Sequence, residues 1–201
     1  MRFRPTIIVL AAGRSSRFGA GGHKLEQPFL GSTVIGTTLR HAIESQLPVV
    51  AVTTAALAPL MQKQMAKRDI VVLSLAEAHR GMGHSVAAGV AERSGAPGWL
   101  LLPGDMPLVQ PSSLLAVATA LEKHAVVYAE HKGRRGHPVG FAAELYSELM
   151  MLTGDEGARR ILARYSTHGQ DVADSGVLLD IDTPADLQAL RDLANPVKPS
   201  A

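Results

Sequence analysis

Short apolar, β-branched runs punctuate this chain, and between them the apolar positions settle into a wider rhythm of three and four. The short runs predict strands at Thr6–Leu10, Val49–Thr53, Ile70–Leu73, Trp99–Leu102, Val126–Ala129, His137–Phe141 and Val177–Ile181. In Thr33–Ser45 the pairs Val34/Ile35, Thr38/Leu39 and Ala42/Ile43 recur every four residues, which lays one apolar stripe along a helix. Leu57–Lys67, Ser85–Arg93, Pro111–Lys123, Ala143–Met151, Glu156–Tyr165 and Pro184–Leu193 read likewise. Two starts are explicit: Pro111 with Ser112 and Ser113, and Thr183-Pro184-Ala185-Asp186, a cap before a first-turn proline.

Strands alternating with helices imply βαβ units, hence an α/β fold with a mainly parallel sheet and helices on both faces. The basic turn Lys132–Gly136 between two adjacent strands is where that parallel order can break locally. No repeat or linker interrupts the pattern, so residues 1–194 read as one domain, with a frayed tail over 195–201.

Composition narrows the field. The 201 residues are 46% hydrophobic and 19% charged, which is ordinary for a globular chain. Without cysteine there is no disulfide frame, thiolate metal site or thiol nucleophile, which fits a reducing cytoplasm. No apolar run approaches the roughly 20 residues of a membrane helix, and the opening MRFRP is too short and polar for a signal peptide. A net charge of +2 without a dense Lys/Arg block argues against nucleic acid as a partner.

In such sheets ligands collect at the carboxyl ends of the strands, so five loops carry the candidate chemistry. "AAGRSSRFGAGGHKL" (11–25) is neither a Walker loop nor a dinucleotide fingerprint, yet its glycines and Arg14, Arg17 and Lys24 form the elements of an anion cradle. The alternative is a mobile basic loop. "RGMGHSV" (80–86) places Gly81 and Gly83 ahead of a helix carrying Ser85, either a base-reading turn or a plain serine-capped one. Asp105 in "PGDMP" ends a buried strand between two prolines. A carboxylate there needs a partner such as a divalent metal, unless it only shapes the turn. "GRRGHPVGF" (133–141) sets Arg134, Arg135 and His137 beside a glycine turn, a wall for an anionic acceptor or a solvated hairpin. Asp180 and Asp182 alternate on one face at the last strand end. Asp182 is a metal ligand with Asp105, a helix cap, or both. Together these loops suit nucleotidyl transfer, in which positioning and charge neutralisation replace a protein nucleophile.

The segments LAAGRSSRFG…K (10–24), GMGHSV (81–86), PGDMP (103–107), GHPVGF (136–141), GDEGARRIL (154–162) and DIDTPADL (180–187) occur in the order seen in the MobA-like nucleotidyltransferases. Within that group the chain most resembles the molybdenum cofactor cytidylyltransferases, which join CMP from CTP to molybdopterin. The likeness runs from residue 6 to about 193. It implies a three-layer Rossmann-like nucleotidyltransferase fold and a Mg2+ cofactor. By the same resemblance, Leu10, Ala11, Ala12 and Gly13 lie against base and ribose. Arg17 and Lys24 hold the triphosphate with Arg14 nearby, and Gly83 and Ser85 help read the base. Asp105 and Asp182 take the metal, with Asp180 a lesser candidate, and Arg17, Lys24 and Asp105 form the catalytic set. His137 and Pro138, with Gly154, Asp155, Glu156 and Gly157, receive the acceptor. A molybdoenzyme or its chaperone is the implied protein partner.

Ala12 and the Asp180/Asp182 pair favour cytidylyl over guanylyl transfer, whose branch begins L-A-G-G and carries Asn near the last strand end. Two departures stand out: Phe18 replaces a usual methionine, and the segment after Lys24 lacks the common "KLL" run. The S-V-x-x-G at 85–89 also resembles the methylerythritol-phosphate cytidylyltransferases. The alternatives are therefore GTP with molybdopterin, CTP with a sugar-alcohol phosphate, or a carrier that binds a nucleotide cofactor without turnover.

Overall fold

A computed structural model describes residues 3–195. Its elements are β1 (Thr6–Ala11), β2 (Pro28–Phe29), β3 (Ser32–Thr33), α1 (Val34–Glu44), β4 (Val49–Thr54), α2 (Ala58–Met61), β5 (Ile70–Leu73), α3 (Leu75–Ala78) and α4 (Met82–Glu92). There follow β6 (Gly98–Pro103), α5 (Pro111–Ala120), β7 (Val126–His131), β8 (Arg134–Ala142), α6 (Tyr146–Met150), α7 (Arg159–Arg164), β9 (Thr167–Asp171) and α8 (Pro184–Ala194). The expected fraying tail lies, beyond Asn195, outside the described residues.

One seven-stranded sheet runs β5-β4-β1-β6-β8-β7-β9, and β2 and β3 form a small separate hairpin. Neighbours pair in parallel except around β8, which is antiparallel to both β6 and β7. The reversal comes from the tight turn at Lys132 and Gly133, both with positive φ, which returns β8 alongside β7. The chain leaves β1 toward β4 and β5, then crosses back to pair β6 on the other flank of β1. That makes the carboxyl ends of β1 and β6 the switch point, where a crevice opens for a ligand.

Side chains alternate across the sheet with the two-residue period of a strand. Ile7, Val9 and Ala11 of β1 face a core with Val34, Ile35 and Leu39 of α1, Leu114 and Val117 of α5, and Leu187 and Leu190 of α8. Ile8 faces the opposite core, with Val86 and Val90 of α4, Leu149 of α6 and Ile161 of α7. The small side of α4 explains its close seat: a Cβ on Gly89 would stand 2.5 Å from Ile8 Cγ2. Two caps follow the residues that announce them. Thr33 accepts from the Gly36 N–H, and Thr183 with Asp186 forms a reciprocal box that starts α8. Among the described residues no helix is long and apolar enough to cross a membrane.

The structure departs from the expected pattern in several places. Val177–Ile181 is not a strand: Ser175–Leu178 forms a 3-10 turn whose start Asp174 caps by accepting from the Gly176 N–H. The seat beside β7 belongs instead to Thr167–Asp171, a polar edge strand (THGQD) with no apolar run to betray it. The helix expected from Ser85 begins at Met82, so Gly81 precedes it as expected, whereas Gly83 lies with Ser85 in its first turn. Three other helical stretches are shorter than their apolar pattern: Ala58–Met61, Tyr146–Met150 and Arg159–Arg164.

Candidate active site

Beyond the carboxyl end of β1 the chain must turn without blocking the crevice. A Cβ on Gly13 would meet nothing within 4 Å, so the strand exit is open. Ser15 takes a left-handed conformation (φ 53°), rare for a residue with a side chain and costing on the order of 1–3 kcal/mol. A 3-10 stretch over Ser16–Gly21, broken at Gly19, then leads to His23 and Lys24. Directly after the neighbouring β6, the Gly104 N–H donates to Leu10 O at 2.8 Å, and Thr38 of α1 donates to Gly104 O at 2.9 Å. These bonds fix the loop that presents Asp105.

The third contributor arrives without a strand. Asp174 Oδ2 accepts from Gln110 N and Ser113 Oγ, while its Oδ1 holds Gly176. Gly176 packs where a Cβ would lie 2.3 Å from Leu108 O. The Ile181 N–H then donates to Asp105 O at 3.0 Å, which sets Asp180 and Asp182 beside Asp105. The expected alternation of a strand is absent, but the aspartates still reach the same crevice.

Lys24 sits between the two acids, donating to Asp105 Oδ2 at 2.6 Å and to Asp182 Oδ1 at 3.0 Å. Its side chain is only 13% exposed, so water screens these pairs far less than on an open surface. Burial alone would lower the Lys24 pKa, but the Asp105 and Asp182 carboxylates outweigh it and raise the pKa above 10.5. Arg17 closes the far side, its guanidinium 2.6 Å from Asp182 Oδ2. The cost of burying Asp105 is only half met. Its Oδ1 is buried and has no hydrogen-bond partner among the described residues, a position a divalent cation would satisfy. Two carboxylates with phosphate oxygens to complete the shell is the donor set Mg2+ or a similar hard ion takes. The residues therefore fit a metal.

These groups line a cavity of about 1000 Å3. The lining includes Leu10, Ala11, Ala12, Gly13, Arg14, Arg17 and Lys24 from the end of β1 and the loop after it, and Met82 and Ser85 of α4. Arg135, His137, Asp155, Glu156, Asp180 and Asp182 line it as well. Arg135 stacks over the Tyr128 ring at 4.1 Å, which holds its charge at this cavity. Burial lowers the His137 pKa to about 4; Arg135 pushes the same way and Asp180 opposes. The ring is therefore neutral near pH 7. Desolvation raises the Asp180 carboxyl, and Asp105 and Asp182 add to the rise.

Four expected site residues do not line the cavity: Gly83, Pro138, Gly154 and Gly157. Gly83 is a packing residue. Its N–H donates to Gly154 O at 2.9 Å, and a Cβ would stand 2.7 Å from Thr153 N. Pro138 is buried in β8 behind His137. Gly154 and Gly157 have positive φ and shape the loop that brings Asp155 and Glu156 forward. The pattern reading passed over His23 and Arg159, which do line the cavity. For His23 the signal was its place directly before Lys24; for Arg159 it was its place in the GDEGARRIL segment (154–162), three residues after Glu156.

A family model described as the MobA-like NTP transferase domain matches residues 7–170. The purine catabolism protein PucB of Bacillus subtilis is 35% identical over 198 residues, covering 92% of this chain and 94% of that protein. The molybdenum cofactor cytidylyltransferase of Escherichia coli is 24% identical over 179 residues, 89% of this chain and 91% of that enzyme. Among solved structures, Rv0371c of Mycobacterium tuberculosis superposes with a TM-score of 0.80 at 29% identity, covering 94% of this chain and 98% of that one. Its manganese complex superposes with a TM-score of 0.77 at 27% identity over the same shares.

Proposed function

We propose that this chain, which belongs to the MobA-like NTP transferase family and is a nucleotidyltransferase, transfers CMP from CTP to molybdopterin with Mg2+ as its metal. The observation that carries the reading is the Lys24 ammonium held between Asp105 and Asp182, with Arg17 beside it, at the switch point of the sheet. Such a group of alternating charges suits a metal-bound triphosphate better than a neutral ligand.

In the reaction a phosphate oxygen of the acceptor attacks the α-phosphorus of the nucleotide. The bond from that phosphorus to the bridging oxygen breaks, and pyrophosphate leaves with the electron pair. Asp105 and Asp182 would hold the metal, which when bound neutralises charge on the triphosphate. Arg17 and Lys24 meet the charge that gathers on the departing pyrophosphate. Leu10–Gly13 and Ser85 lie where base and ribose fit, with Arg14 close to the phosphates. His137, Asp155 and Glu156, which line the same cavity, face the acceptor, and Arg135 supplies a cation for its phosphate. Pro138 is buried beside His137, and the glycines 83, 154 and 157 hold the loop that carries Asp155 and Glu156.

The cytidylyl choice is favoured by the Ala12 and Asp180/Asp182 features and by the relative named as a molybdenum cofactor cytidylyltransferase. The manganese complex of Rv0371c supports a divalent metal. PucB is named for purine catabolism, which specifies neither nucleotide nor acceptor. The absence of cysteine fits a reducing cytoplasm, and a molybdenum cofactor product would pass to a molybdoenzyme or its chaperone.

Pyrophosphate release from CTP, GTP, ATP and UTP, each with Mg2+ and molybdopterin or methylerythritol phosphate, tests the reading. Release with CTP and molybdopterin is expected. A preference for GTP overturns the nucleotide, a preference for the sugar-alcohol phosphate overturns the acceptor, and tight binding without turnover favours a carrier.

A further inference from the structure

His23 lies between the two parts of the nucleotide loop that matter most, the exit of β1 and the residue that bears the ammonium. Its two ring nitrogens have different partners. The Leu25 N–H stands 3.2 Å from Nδ1, and Nε2 stands 2.9 Å from Gly13 O. An N–H can only donate and a carbonyl can only accept, so Nδ1 carries the lone pair and Nε2 the proton. The ring thus ties Gly13 to Leu25 with Lys24 held in between.

Ser15 belongs to the same assembly. Its Oγ rests against the imidazole, 3.2 and 3.3 Å from the two nitrogens, and accepts the Lys24 N–H at 3.3 Å. Ser15 is also the residue forced into a left-handed conformation. Strain persists where surrounding contacts over-determine it, and here those contacts converge on His23. Leu25, directly after Lys24, is buried and cannot follow a moving loop. The backbone of Lys24 is therefore fixed on both sides, which aims its side chain at Asp105 and Asp182.

We propose that His23, as the Nε2-protonated tautomer, is a positioning residue for nucleotidyl transfer: by donating to Gly13 O it sets the spacing between the β1 exit and Lys24. The proposal rests on the reading of Lys24 as the triphosphate-binding cation. A loop tethered in this way holds the ammonium in place before substrate arrives, and ordering lost from that loop appears as slower transfer. The test separates the two ring contacts. A glutamine amide reaches where Nε2 lies and still donates to Gly13, whereas an asparagine oxygen reaches where Nδ1 lies and keeps only the Leu25 cap.

His23→Ala, His23→Gln and His23→Asn are compared for pyrophosphate release with whichever nucleoside triphosphate the wild type uses. Imidazole 15N shifts of the wild type report the tautomer. His23→Ala is expected to lose about 10- to 100-fold in kcat, a loss usual for a supporting contact behind a reacting group, with KM for the acceptor unchanged. His23→Gln recovers most of that rate, while His23→Asn recovers thermal stability but not rate. Recovery by Asn instead of Gln, equal loss in all three, no loss in Ala, or a proton on Nδ1 each overturns the proposal. A wild type inactive with CTP but active with another triphosphate strikes the nucleotide assignment and leaves the His23 comparison readable. A wild type inactive with all four strikes the function, and the tautomer measurement still stands.

Discussion

Lys24 Nζ donates to Asp105 Oδ2 at 2.6 Å across 81 residues of sequence. One contact thus joins the loop after β1 to the loop after β6, at the point where the order of the sheet reverses. It also places a cation where two acids would otherwise repel, so the site is held together by charges that a metal-bound triphosphate would rearrange.

Lys24→Met keeps the apolar stem and removes the ammonium. Transfer should fall by about 10²–10³-fold in kcat/KM for the nucleotide, as for loss of one preorganised charge donor, measured by pyrophosphate release. Stability should fall too, because Asp105 and Asp182 lose their shared partner. The wild-type contribution has a definite pH sign. The Lys24 pKa is raised in the fold, so its stabilisation is fully present below 10.5 and is lost as pH rises through the folded value. Urea melts at pH 8 and pH 11 should show the gap between wild type and Lys24→Met closing at the higher pH.

Asp105→Asn tests the metal. Removing that carboxylate should cut transfer by at least about 100-fold and weaken Mn2+ binding in the presence of nucleotide, read by titration calorimetry. Affinity for metal-free nucleotide should stay the same or rise, since a negative charge near the phosphates has gone. Full activity in this variant would refute the metal role.

His137 should remain neutral through the working range. Its pKa is lowered to about 4, so the folded state binds its proton less readily than the unfolded chain. The stability it contributes is present above the ordinary 6.5 and is lost as pH falls from there through 4. An NMR titration should show the His137 ring unprotonated at pH 6. Protonation near 6.5 would mean that the cavity around His137 is wetter than the structure shows.

Two glycines should respond in opposite ways. Gly81 has φ +92°, and a Cβ there would lie 2.3 Å from Gly154 C, so Gly81→Ala should cost about 1–3 kcal/mol of stability in thermal melts. Beyond its chain neighbours, no described residue comes within 4 Å of a Cβ on Gly13, so Gly13→Ala should melt as the wild type does. Its methyl would enter the crevice instead, and KM for the nucleotide should rise.

Much of the fold was legible because burial writes itself as period. Thr6–Leu10, Trp99–Leu102 and the α1 stripe are apolar at the spacings that strands and helices impose, and each appears within a residue or two of its expected bounds. Thr167–Asp171 was not legible. An edge strand has one neighbour and two partly solvated faces, so its backbone bonds leave no apolar mark. Val177–Ile181 misled for the converse reason: Val177 and Ile181 are fully buried, but in a turn and an unpaired segment held by Asp174 and by Asp105 O. Gly83 looked like a ligand loop, although its missing side chain serves the backbone of Thr153.

By itself the sequence determined the alternation of strands and helices, the cationic glycine loop and the acids that belong with it, because residue type sets charge, reach and burial locally. Only the tertiary structure decided that Lys24 bridges Asp105 and Asp182, that Asp105 Oδ1 is left without a partner, and that His23 ties Gly13 to Leu25. Those facts depend on the path of the backbone between distant segments. Single hydrogen bonds such as Ile181 N–H to Asp105 O set that path, and no spacing along the chain encodes them.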